Sequence, residues 1–193
     1  MAHAQSEVLL LMGPPGAGKG TQAAKLARAR KLHKISTGDM LREHVQKGSN
    51  LGQQAKSVMD AGELVPDNLI IAMVREEVEA NKAEGVRILL DGFPRTPGQA
   101  EALDELLSEY GALLSAAVLL EVQEDELVTR LKQRAQEEGR SDDTEETIRT
   151  RMQVYERDTQ PLIDYYDERG KLRRIGGMAS VEDVFARITE VLL

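Results

Sequence analysis

At 193 residues, with 41% hydrophobic and 30% charged side chains, the chain has the size and composition of one soluble globular domain. No apolar run approaches the ~20 residues of a membrane span. A net charge of −8 argues against general affinity for nucleic acid or anionic membranes, so any phosphate site must be a local concentration of positive charge. The absence of cysteine excludes a disulfide framework and a thiolate metal site, and it agrees with a cytoplasmic location. Met1 to Glu7 does not read as a leader peptide.

The first apolar run, Val8–Met12, reads as a strand. Gly13-Pro14-Pro15-Gly16-Ala17-Gly18-Lys19-Gly20-Thr21 comes next, and a helical pattern runs on through Ala27. Strand, glycine loop and helix in that order make a phosphate cradle: backbone N–H groups turn inward, and the helix N-terminus adds partial positive charge. Gly16, Ala17, Gly18, Lys19, Gly20 and Thr21 are therefore candidate triphosphate contacts, with Lys19 reaching the outer phosphates as a point charge. The spacing G-x-x-x-x-G-K holds, although Gly20 stands where the commonest form has Ser or Thr.

Further strands are expected at Leu32–Ser36, Arg87–Asp91, Ala116–Val122 and Leu172–Ile175. Their alternation with helical stretches predicts an α/β fold, a five-stranded parallel sheet with helices on both faces. Ligands of such sheets bind beyond the carboxyl ends of the strands. The glycine loop, Ser36-Thr37-Gly38-Asp39 and Asp91-Gly92-Phe93-Pro94-Arg95 all fall there. Two stretches read as insertions within a single domain spanning 1–193. Residues 36–65 hold short helical patterns with Gly48, Gly52 and Gly62, and end at a turn, Leu64-Val65-Pro66-Asp67. Residues 133–143 are polar and broken by Gly139; Asp143 with Glu146 resembles a capping box that starts the next helix. That helix runs toward Pro161, where a kink or restart is expected.

Asp91, closing an apolar strand beside the phosphate loop, is placed to hold magnesium, directly or through water. Arginines gather late in an acidic chain. Arg130 and Arg134 share a helix face, and with Arg140 and Arg151 they are candidate phosphate contacts; Arg149 and Arg157 are left to surface ion pairs. His3, His33 and His44 show no ligand spacing.

Taken together, these segments resemble the adenylate kinase family. The resemblance rests on Gly18-Lys19-Gly20-Thr21, then Ser36-Thr37-Gly38-Asp39-Met40-Leu41-Arg42, Gly62-Glu63-Leu64-Val65-Pro66 and Asp91-Gly92-Phe93-Pro94-Arg95-Thr96. It continues through Gly139-Arg140-Ser141-Asp142-Asp143 and Glu145 to Arg151, in the family's order over nearly the whole chain. It implies a P-loop three-layer α/β/α fold and the reaction MgATP + AMP ⇌ 2 ADP. It also implies two mobile inserts: an AMP-binding segment at 36–65 and a short lid at 133–143. The long-lid form often carries a zinc knuckle, for which this chain has no cysteine.

By the same resemblance, Thr37, Arg42, Arg95 and Gln99 hold AMP, with Glu63, Leu64, Val65, Gly92, Phe93 and Pro94 lining that pocket and a cis bond at Phe93–Pro94. Arg140 and Arg151 grip phosphates between the two nucleotides. Arg130, Arg134 and Ala179 face ATP. Lys19, Arg95, Arg130, Arg140 and Arg151 surround the transferring phosphoryl group. The substrates are ATP, AMP and ADP, magnesium is the cofactor, and a monomer is expected, with neither nucleic acid nor membrane as partner. Kinases for UMP and CMP share this outline but tend to have Ala at the place of Thr37 and Asn at that of Gln99; a Gln amide, able to donate and accept at once, suits the edge of adenine. A binding module without turnover and a P-loop hydrolase are the alternatives from other classes.

Overall fold

The structure is a computed structural model that describes residues 6–82, 85–138 and 144–193. Five strands form one all-parallel sheet in the order β2-β3-β1-β4-β5: β1 Glu7–Met12, β2 His33–Ser36, β3 Arg87–Asp91, β4 Ala116–Glu121 and β5 Leu172–Gly176. The central strand explains the architecture. Its residues Val8 to Met12 are all buried, as a strand covered on both faces requires. Successive side chains alternate between two cores. Val8, Leu10 and Met12 join one, and Leu9 and Leu11 the other.

The first core is closed by α4 (Asp67–Ala80), α5 (Pro97–Glu109) and α8 (Pro161–Glu168), through Val74, Leu103, Leu107 and Leu162 among others. The second is closed by α1 (Lys19–Arg30), α6 (Glu124–Glu138) and α9 (Val181–Val191), through Leu26, Leu127 and Ile188. The result is the expected three-layer α/β/α fold. All five strands appear where the apolar runs predicted them, with ends moved by at most one residue.

Two expectations shift in detail. The helix expected from Asp143 is α7 (Glu145–Val154), and its N-cap is Thr144, whose hydroxyl accepts from Thr147 N–H. Thr147 in turn donates to the Asp60 carbonyl at 3.1 Å, tying α7 to the insert. Asp143 lies outside the described residues. The restart expected at Pro161 is an α-helix preceded by a π-helical turn, Tyr155–Thr159. Residues 133–138 of the expected lid continue α6, while 139–143 lie outside the described residues.

The 36–65 segment is a pair of helices, α2 (Thr37–Gln46) and α3 (Asn50–Asp60). Ser49 caps α3 by accepting from Gly52 N–H. Gly52 sits against the end of α2, where an added Cβ would run into the His44 carbonyl group. The contact is with backbone, so neither helix can give way cheaply. Gly52→Ala should therefore lower the unfolding free energy by about 1–3 kcal/mol, read from urea titration, with a nearly unchanged m-value.

Candidate functional site

Parallel strands place all their carboxyl ends on one rim, and a cleft of about 890 Å³ opens there. Strand order lays out its contents. The ends of β2 and β3 bring Thr37, Arg42, Asp91, Gly92, Arg95 and Gln99. The end of β1 brings the loop Gly16, Ala17, Gly18, Lys19, Gly20 and Thr21 to the middle. The segments after β4 and β5 bring Arg130, Arg134 and Ala179. Glu63, Leu64, Val65 and Arg151 complete the wall from the insert and α7.

Local chemistry fixes each part. Gly18 is the N-cap of α1 with φ 90° and ψ 14°, a left-handed conformation that costs a Cβ-bearing residue free energy. It points the first N–H groups of α1 at the cleft. Lys19 Nζ donates to the carbonyls of Gly13 and Pro14 at 2.8 and 2.9 Å, folding its side chain over the loop. Burial pushes the Lys19 ammonium down to about 7; Asp91 opposes this, while the charges of Arg95, Arg151 and Arg134 add to it. These cations therefore crowd one another before any phosphate is bound.

On the β2–β3 side, the Thr37 hydroxyl and Arg95 Nε both donate to the Gly92 carbonyl at 2.8 Å. Thr37 is only 2% exposed, so it links the start of the insert to the end of β3. Gln99 Oε1 accepts from Arg95 N–H. The Phe93–Pro94 bond is cis, as the resemblance implied. Arg42 donates to Asp39 at 2.6 Å. Burial alone would raise the Asp39 carboxyl, but the hydrogen bond and charge of Arg42, with Lys34, outweigh it and hold it at about 2. On the β4–β5 side, Arg130 donates to Glu126 Oε1 on its own helix and to the Gly177 carbonyl.

Two residues expected in the AMP pocket are not on the cleft wall. Phe93 is 1% exposed and packs in the first core, and Pro94 is buried beside it, because the turn after Gly92 directs both inward. Arg140 lies outside the described residues. Arg149 and Arg157 make surface ion pairs with Glu145, and with Asp158 and Glu63. Lys34 and Glu137 line the cleft without having been singled out by the sequence. For Lys34 the signal was available, since it lies two residues before the end of a strand that feeds the site.

A glycine loop on the central strand of a parallel sheet, with cations converging on one cleft, defines a P-loop nucleotide-binding protein. The sequence profile of the family described as Adenylate kinase matches residues 11–171. The adenylate kinase of Thermus thermophilus is 52% identical over 186 residues, covering 96% of this chain and 97% of that protein. That of Deinococcus deserti is 51% identical, covering 97% and 98%. That of a Synechococcus species is 49% identical, covering 97% and 99%. The chain belongs to the adenylate kinase family and is an ATP:AMP phosphotransferase. No helix among the described residues is long and apolar enough to cross a membrane.

The lowered Lys19 value has a thermodynamic consequence. If a polyphosphate binds at the loop beside Lys19, it should raise this group and draw back the proton that the ligand-free protein gives up above about pH 7. At pH 8, ATP binding should take up about one proton, and affinity should fall as pH rises further. Calorimetry in buffers of different ionisation enthalpy reads the uptake, and Lys19→Met should abolish it.

Proposed function

We propose that the cleft binds MgATP and AMP end to end, with ATP over the β1 loop and toward β4–β5, and AMP against the β2–β3 side. The observation that carries this reading is that the phosphate loop lies in the middle of the cleft, between lining residues from the β2–β3 side and lining residues from the β4–β5 side. A P-loop hydrolase needs no second polar pocket, and a binding module needs no arginines crowded around Lys19.

Phosphoryl transfer asks little covalent help of the protein; it asks for alignment and for positive charge where two anions meet. Lys19, Arg95, Arg130 and Arg151 would supply the charge, with Arg140 from the segment outside the described residues. Alignment of two bound substrates contributes roughly 7–11 kcal/mol toward the barrier in favourable cases. The AMP phosphate is already ionised, so no strong general base is required. Thr37, Arg42 and Gln99, with the wall from Glu63 to Val65, would hold AMP. Arg134 and Ala179 would face the ATP base.

Magnesium fits Asp91, whose carboxylate ends β3 near the phosphate loop; an added Cβ at Gly20 would lie 3.7 Å from it. Among the described residues no group of three or more acidic or histidine side chains could hold a metal by itself. That suits an ion bound mainly through phosphate oxygens and water. When bound, it would neutralise charge on the transferring phosphates. A monomeric, cytoplasmic enzyme acting on free nucleotides completes the reading.

Coupled measurement of ADP formation from ATP with AMP, UMP, CMP or water tests the assignment, and AMP should be strongly preferred. Lys19→Met should lower kcat by about 10²–10³-fold without loss of fold. More than a tenth of the wild-type kcat would contradict the role of Lys19.

Residues 36–65 and 133–143 would close over the two nucleotides, because filled phosphate sites offer the arginines differential contacts. A ligand with two adenosines joined by five phosphates should inhibit tightly and slow amide hydrogen exchange in both segments. Tight binding with unchanged exchange in both would contradict closure.

A further inference from the structure

We propose that Asp67 is a positioning residue for base selection: its carboxylate holds the Gln99 side-chain amide in the one orientation that matches a 6-amino purine. The proposal rests on the proposed role of Gln99 in facing the base of the monophosphate.

Asp67 is the first residue of α4, immediately after the insert. It does not line the cleft. Its carboxylate could have capped its own helix, but α4 has no side-chain cap. Instead it reaches across to the start of α5. Oδ1 accepts from Gln99 Nε2 at 2.7 Å, and Oδ2 accepts from the Thr96 hydroxyl at 2.8 Å. Thr96 is the N-cap of α5 and accepts from Gln99 N–H. Both carboxylate oxygens are thus engaged, and the group cannot rotate without breaking one bond.

Gln99 is 2% exposed and lines the cleft. An amide side chain has two orientations differing by exchange of O and NH₂. Here two neighbours choose between them. Arg95 N–H is a donor, so it requires the oxygen, and the bond is 2.8 Å. The Asp67 carboxylate is an acceptor only, so it requires the NH₂. Reversal would set donor against donor at Arg95 and acceptor against acceptor at Asp67, in a buried place where unmade hydrogen bonds are costly.

In the held orientation, Oε1 keeps one lone pair and Nε2 one N–H. Adenine offers a matching edge, a donor at the 6-amino group and an acceptor at N1. A 6-oxo purine offers the reverse, an acceptor at O6 and a donor at N1–H. To read it, the Gln99 amide must turn over. Arg95 N–H alone resists that with one hydrogen bond; Asp67 adds a second, charge-assisted one. Asp67 therefore sets discrimination between AMP and IMP without touching either.

The test compares kcat/KM for AMP and for IMP in the wild type, Asp67→Leu, Asp67→Asn and Gln99→Leu. Asp67→Leu removes the acceptor and should lower the AMP:IMP ratio about tenfold, the worth of one charge-assisted hydrogen bond. The change should appear in KM for AMP, while KM for ATP and kcat stay within about twofold. Asp67→Asn should restore most of the ratio, because an amide oxygen can still accept from Gln99 Nε2 while its NH₂ donates to Thr96. A ratio unchanged in Asp67→Leu, or lost equally in Asp67→Asn, overturns the proposal.

Gln99→Leu separates the role of Gln99 from that of Asp67. If it leaves the ratio unchanged, the base-reading role of Gln99 fails, and the selectivity claim fails with it. If it collapses the ratio while Asp67→Leu does not, only the role of Asp67 fails. Should Asp67→Leu not fold, side-chain ¹⁵N–¹H spectra of the wild type decide. One Gln99 amide proton should exchange with water far more slowly than those of exposed Gln136; equal exchange rates overturn the hold.

Discussion

A strand buried on both faces can offer its polar chemistry only at its ends. That constraint governs this molecule. From Val8 to Met12 the central strand is closed off by two cores, and β3 is closed in the same way from Ile88 to Leu90. At and just past the carboxyl ends of the strands the chain leaves the sheet, and polar groups can face the rim. There the chain supplies the glycine loop after β1, Thr37 after β2, Asp91 at the end of β3, and Gly177 after β5. The strand order β2-β3-β1-β4-β5 then converts sequence segments into spatial neighbours along one rim.

The second theme is the handling of charge. The chain is acidic overall, at −8, yet the cleft gathers several cations. Like charges in a partly desolvated place raise the free energy of the ligand-free protein. The molecule moderates this with carboxylates that are themselves held: Asp39 beside Arg42, and Glu126 beside Arg130. At Lys19, burial first, with the charges of Arg95, Arg151 and Arg134, outweighs the opposing carboxylate of Asp91 and holds the ammonium down to about 7. A polyphosphate would relieve that cost. The same electrostatic strain that disfavours the empty site thus favours the occupied one.

Hydrogen bonds between elements supply the remaining organisation. The Gly92 carbonyl joins Thr37 to Arg95, Thr159 donates to the Arg95 carbonyl, and Thr147 joins α7 to the end of α3. Apart from the local bond between Arg95 and Gly92, each of these bonds joins segments far apart in the chain. They set the positions of arginines whose long side chains would otherwise sample many rotamers.

The sequence by itself determined the strands, because a sheet buried on both faces demands continuous apolar runs such as Val8-Leu9-Leu10-Leu11-Met12. It also determined the phosphate loop, because left-handed backbone at Gly18 before Lys19 requires glycine at a fixed spacing. The residues of the cleft were mostly legible for the same reason: they cluster in short segments at strand ends. Tertiary structure decided what spacing does not encode. Phe93 sits among cleft residues in sequence, yet the turn after Gly92 sends it into the core. Asp67 reads as an ordinary helix-start acid. Only the approach of α4 to α5 brings its carboxylate to Gln99, 32 positions away, because hydrogen-bond partners are chosen by distance in space and not along the chain.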